Sequence, residues 1–102
     1  MALSNKDTRA LRTIGHQLKP IVIISNGLSD NINKEINRAL DDHELIKIKV
    51  NTAEREDKVQ LVEEICSLHR AELAQLIGSV ALLYRAAKRP NPNLSNLIRH
   101  KV

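Results

Sequence analysis

Aromatic residues are nearly missing from this 102-residue chain: Tyr84 stands alone, with no Phe and no Trp. Proteins that hold single-stranded nucleic acid by stacking bases on exposed rings need several such side chains. Any nucleic-acid contact here must therefore run mainly through phosphates, sugars and shape. One cysteine, Cys66, cannot close an internal disulfide, and no second Cys/His pair joins Cys66 and His69 to complete a tetrahedral metal set. No stretch approaches the roughly 20 apolar residues of a membrane span. Lys6, Asp7, Arg9 and Arg12 occupy the positions where a secretion signal would be apolar. The expectation is a cytoplasmic protein with no membrane association.

Catalytic signatures are equally scarce. No glycine-rich nucleotide loop is present, and His16, His43, His69 and His100 are scattered without a nucleophile placed beside any of them. Asp41-Asp42 and Glu63-Glu64 are adjacent pairs, which point different ways on a helix instead of forming a dyad. These absences argue against an enzyme, a cofactor, a metal site and a small-molecule substrate.

What is present describes one folded domain. Hydrophobic residues make up 42% and charged residues 27%, the balance of a chain that buries a core. Sixteen Lys+Arg against twelve Asp+Glu leave a charge of +4, which suits an anionic partner. A monomer is expected at this length.

Periodicity supplies the elements. Leu11, Ile14 and Leu18 form an apolar stripe over 4–17, with Ser4 and Asp7 as a capping box, while Arg9, Arg12, His16 and Lys19 share another face. Ile21 to Ile24 read as a strand buried on both faces. Leu28, Ile32, Ile36 and Leu40 mark a helix over 29–43. The stretch LIKIKV, 45–50, alternates, setting Lys47 and Lys49 opposite Ile46, Ile48 and Val50. A third helix follows over 53–69 with Asn51 as N-cap. Two strands, 72–77 and 80–85, are joined by a two-residue type II′ turn at Gly78-Ser79. The order α-β-α-β-α-β-β predicts an α/β fold, with two right-handed crossovers, a mostly parallel sheet and a final antiparallel hairpin. Residues 86–102 read as a basic, flexible tail, in which Leu94, Leu97 and Ile98 could dock as one helical turn.

The loop Ser25-Asn26-Gly27 ends the first strand and opens the second helix, where free backbone N–H groups and the helix dipole attract an anion such as phosphate. A tight turn capped by Ser29 or Asp30 is the alternative. Lys47, Lys49 and the basic face of the first helix would adjoin this loop as a phosphate-tracking surface. Lys34 and Arg38 each have an acid four residues away, Asp30 and Asp42, and are set aside as a surface charge ladder.

The segments LRTIGHQLKPIVII, NGLSDNINKEINRALDDHELIKIKV, EREDK and LIGSVALLYR resemble the bacterial YhbY-type proteins, single-domain members of the CRM (chloroplast RNA splicing and ribosome maturation) family, over residues 4–85. The resemblance implies a CRM-like RNA-binding domain over 1–85. It implies a four-stranded mixed sheet packed with helices, similar to the C-terminal domain of translation initiation factor three. It also implies a role with ribosomal RNA in precursors of the large ribosomal subunit. The family's GxxG loop falls at the Ser25-Asn26-Gly27 position. Gly27 matches its second glycine, whereas Ile24 takes the place of the first, or the loop is one residue shorter. The candidate RNA contacts are Ser25, Asn26, Gly27, Lys19, Lys47, Lys49, Arg9, Arg12 and Arg55, joined by Arg85 and Lys88 at the end of the domain. The rival reading is a protein-interaction adaptor that does not touch RNA.

Overall fold

The computed structural model describes residues 5–25, 27–51 and 54–99. Within them the chain runs α1 (Asn5–Gly15), β1 (Pro20–Ile24), α2 (Asp30–His43), β2 (Leu45–Val50), α3 (Arg55–His69), β3 (Glu72–Ile77), β4 (Val80–Tyr84) and one further turn, α4 (Asn96–Arg99). Ser29 caps α2 as expected, its hydroxyl accepting from the Ile32 N–H at 3.2 Å. Asn51 does not cap α3. The residue at that position is Glu54, and the Asn51 N–H instead donates to the Ile24 carbonyl at 2.8 Å, continuing the β1–β2 ladder past its last pair. The expected Ser4 cap lies outside the described residues. Gly78 holds φ at +57° in a two-residue turn between Ile77 and Val80, the conformation a type II′ hairpin asks of its first central residue.

The sheet order is β1-β2-β4-β3. It is the expected four-stranded mixed sheet, yet β4 inserts between β2 and β3, so β1–β2 is its one parallel ladder and β2–β4 and β4–β3 are antiparallel. Composition explains the insertion. Ala81, Leu82 and Leu83 of β4 are all buried, pointing to alternate faces, and a strand apolar on both sides belongs in the middle of a sheet.

Helices α2 and α3 cover one face, where Ile36, Leu40, Val62 and Ile65 close over Ile24, Ile48 and Leu83. Helix α1 covers part of the other, with Leu11 and Ile14 against Leu45, Ala74 and Leu82. Among the described residues, α1 packs mainly on β2 and β3, which leaves the outward side chains of β1 exposed on that side. The expectation that β1 is buried on both faces is thus corrected. Val22 and Ile24 are buried, but Ile21 and Ile23 are 50% and 56% exposed.

The C-terminal segment, expected as a basic tail in which Leu94, Leu97 and Ile98 could dock as one helical turn, runs as a strap against the domain through residue 99, with α4 (Asn96–Arg99) as its turn. Glu44 organises it. This residue ends α2 at φ 62°, ψ −45°, a strained backbone region for anything but glycine, and it is buried. Its carboxylate accepts from the Ser95 hydroxyl at 2.7 Å and the Ala87 N–H at 3.0 Å, while its carbonyl accepts from the Arg85 N–H at 2.9 Å. Asn96 donates through Nδ2 to the Leu45 carbonyl at 2.7 Å, His43 donates through Nδ1 to the Leu94 carbonyl at 2.9 Å, and Leu97 joins the α1-side cluster. Periodicity points to the Leu97 contact but not to the hydrogen bonds, which polar side chains make across about fifty residues of chain.

Ser95→Ala leaves one oxygen of a buried carboxylate without its donor, so urea unfolding should show a loss of about 1–3 kcal/mol. A change below about 0.5 kcal/mol, the usual surface value, would mean that Glu44 does not hold the strap.

Candidate nucleic-acid interface

Strands β1 and β2 run parallel, so their carboxyl ends, the loop after β1 and the N-termini of α2 and α3 share one end of the molecule. The β3–β4 turn lies there too: the Val50 N–H donates to the Ser79 carbonyl at 2.7 Å, and Lys58 of α3 donates to the Ser79 hydroxyl at 2.9 Å. In the loop, Ser25 is exposed and Gly27 holds φ at +81° with nothing within 4 Å of where a Cβ would stand. Asn26 lies outside the described residues. Ile24 is fully buried in the core under α2, so its bulk does not stand in front of the loop. The rim of the loop is therefore open, with an exposed serine and a left-handed glycine ahead of the α2 N-terminus.

The sheet face that α1 leaves open carries the basic residues of β2. Lys47 lines two hollows, of about 350 and 210 Å³. Lys19 and Ile21 border the first and His16, Gln75 and Ile77 the second; no carboxylate lines either. Among the described residues, the ammonium groups of Lys47 and Lys49 have neither a hydrogen bond nor an ion pair. Arg9 and Arg12 are exposed on α1 but line neither hollow, and Arg12 donates through Nε to the Ala74 carbonyl of β3 at 2.8 Å. The structure thus gathers Lys19, Lys47 and Lys49, with His16 added, and leaves the two arginines beside them.

Arg85, one of the candidate contacts, is engaged within the fold. Its guanidinium donates to the Asn37 side chain and carbonyl, the His69 carbonyl and the Asp41 carboxylate at 2.8–3.1 Å, tying α2, the end of α3 and β4 together. Lys88 lines a separate groove of about 610 Å³ with Arg70 and Arg89, at the end where α2 and α3 terminate, opposite the Gly27 loop. Arg55 opens α3 at the loop end of the molecule; its side chain lies outside the described set.

Burial shifts three titratable groups, Cys66, His69 and Tyr84. Burial, then the charges of Glu72 and Glu63, push the Cys66 thiol up to about 11, which leaves it without nucleophilic character at neutral pH. Burial and the nearby Arg85 cation hold His69 below the usual histidine range, and its Nε2–H donates to the side-chain Oδ1 of Asn33 at 3.1 Å. Burial, Glu44 and Asp7 raise Tyr84. Among the described residues no three His, Cys, Asp or Glu side chains converge as a metal site, and no helix is long and apolar enough to cross a membrane.

Comparison with known proteins matches residues 3–85 to the CRS1 / YhbY (CRM) domain. A Pseudomonas aeruginosa protein named "Probable RNA-binding protein" is 47% identical over 100 residues, which cover 97% of this chain and 96% of that one. A Haemophilus influenzae protein named "RNA-binding protein" is 39% identical over 87 residues, 84% of this chain and 88% of the relative. The solution structure of a Staphylococcus aureus protein, described as a candidate RNA binder, superposes with a TM-score of 0.76 at 36% identity, covering 91% of this chain and 97% of that one.

Gly27→Ala should destabilise the protein by about 1–2 kcal/mol through its left-handed backbone alone, since the space around it is open. Ser25→Ala should stay within about 0.5 kcal/mol. Equal, negligible effects of the two in urea unfolding would show that the loop does not require its positive φ.

Proposed function

The chain belongs to the CRS1/YhbY (CRM) domain family, and from that membership we propose that it is a non-enzymatic RNA-binding protein whose partner is ribosomal RNA in precursors of the large ribosomal subunit. The observation that carries the RNA reading is the Lys47–Lys49 face, unpaired among the described residues, free of carboxylates around its hollows and flanked on β1 by the exposed Ile21 and Ile23. An ammonium without an acidic neighbour attracts phosphate at no cost in broken ion pairs, and each phosphate neutralised releases counterions. The Ser25-Asn26-Gly27 loop would add backbone N–H donors at the α2 N-terminus, the means by which a GxxG loop clamps an RNA backbone. Lys19 extends the surface toward the α1–β1 junction. Arg9, Arg12 and Arg55 would lend charge at its margins, and Lys88 would act only through an RNA long enough to reach the far groove.

Two results are expected. Lys47→Glu with Lys49→Glu should weaken RNA binding and, if each lysine meets one phosphate of a single strand, flatten the plot of log affinity against log salt by about 1.4. Thermal unfolding should be unchanged, because Lys49 is exposed, Lys47 only half-buried, and neither is paired. In a lysate run on a sucrose gradient, the protein should travel with large subunits or their precursors and leave them after ribonuclease treatment. Unaltered affinity and slope in the double variant would remove the lysine face from the account. A protein that stays at the top of the gradient at low salt would remove the ribosomal partner and favour an adaptor.

A further inference from the structure

The open half of the sheet is apolar as well as basic. Pairing register puts Ile23, Lys49, Val80 and Ile77 in one row across all four strands and on one face, since Ile23 pairs with Lys49, Lys49 with Val80, and Val80 with Ile77. The two ends of the row are 56% and 61% exposed, and Ile21, beside Lys47, is 50% exposed. At the usual strand spacing the row spans about 14 Å. Helix α1 stops short of it, and the described part of the C-terminal strap reaches this face only near Leu45 and Lys47.

Resting on the RNA reading above, we infer that this row is a platform for unpaired nucleotides, with bases lying against Ile23 and Ile77 and the backbone running over Lys47 and Lys49. A duplex does not fit the row. An A-form helix offers proteins phosphates and 2′-hydroxyls, while its base faces are hidden in the stack. Laid on this surface, it would take two large aliphatic side chains out of water and give them nothing apolar in return. An unpaired nucleotide offers both halves of the match, a flat apolar base and a charged phosphate. Lys49 stands within the row between Ile23 and Val80, so an ammonium and aliphatic side chains lie side by side there. Other four-stranded sheets lay about two or three bases on rings at comparable positions; here β-branched aliphatics would take that place, with weaker grip per base and no demand for a particular sequence. The lysines commit the occupant to an anion, and the hollows on either side of Lys47 add no carboxylate to oppose it.

The test uses the whole protein and two probes: a labelled single-stranded RNA of about 12 nucleotides and the same strand annealed to its complement. Fluorescence anisotropy at fixed salt should show the wild type favouring the single strand by about tenfold. Ile23→Ser with Ile77→Ser, both at exposed edges and checked for unchanged thermal unfolding, should lower single-strand affinity about three- to tenfold while leaving duplex affinity and the salt slope as they were. Equal wild-type binding of the two probes would overturn the platform and leave the RNA reading standing. Undiminished single-strand binding by the isoleucine variant would also overturn the platform and assign the row to another partner. Binding of neither probe by the wild type would overturn the platform and the RNA reading together.

Discussion

The chain has enough helix to cover one face of its sheet and only part of the other, and most of what distinguishes the molecule follows from that shortage. Helices α2 and α3 connect successive strands and therefore close over a single face, burying Ile36, Leu40, Val62 and Ile65. Among the described residues the opposite face has α1, which settles over Leu45, Ala74 and Leu82, and the short α4 turn brought in by the C-terminal strap. Strand β1, the carboxyl ends of β2 and β3 and the amino end of β4 remain open on that side. Exposed β-branched residues on an edge strand are a liability for a protein with no partner, because they invite other chains to pair. Lys47 and Lys49 temper the liability by adding charge, and the same charge gives the face an affinity for anions.

The two ends of the molecule have different electrostatic characters. At the end bearing the Gly27 loop, the N-termini of α2 and α3 add their positive dipole ends to the charge of Lys49. At the other end, cations serve the fold. Arg85 bonds the His69 carbonyl and bridges α2 to β4, and Arg70 takes the left-handed position that closes α3. Glu44 performs the matching task for the strap, drawing Ala87 and Ser95 onto the start of β2 with a buried carboxylate whose hydrogen bonds come from neutral donors. Such an arrangement tolerates little disturbance, since removing one donor leaves a buried charge short of solvation. The strap thus fixes the boundary of the open face: it fills the Leu45 end, and Asn96 sits in the hollow beside Lys47.

Much of this was legible in the residues. Strict alternation located β2 at Leu45–Val50, and Gly78-Ser79 between two apolar runs located the hairpin, because period and turn chemistry are local properties. The placing of Lys47 and Lys49 opposite the apolar residues of β2 followed from the same alternation. Position within the sheet was not legible. Four consecutive β-branched residues in β1 carry no period, so nothing in them reveals that Ile21 and Ile23 face away from the core, or that β4 takes the central place. The bonds of Arg85, read from the sequence as a candidate RNA contact, were not legible because its partners, Asn37, Asp41 and His69, are distant in the chain. Polar segments such as 86–99 resemble tails for the same reason: long-range hydrogen bonds and the single apolar contact of Leu97 dock them, without a long hydrophobic stripe.

The central claim is that RNA lies on the open half of the sheet and at the loop beside it. Titrating isotope-labelled protein with a short single-stranded RNA while recording backbone amide spectra tests it most directly. The account requires the shifts to gather at Ser25, Gly27, β1, and the Lys47–Lys49 and Ile77–Val80 segments, with the α2–α3 face and the Arg85 network unmoved. Shifts confined to the groove of Arg70, Lys88 and Arg89, or to the exposed surfaces of α2 and α3, would contradict it.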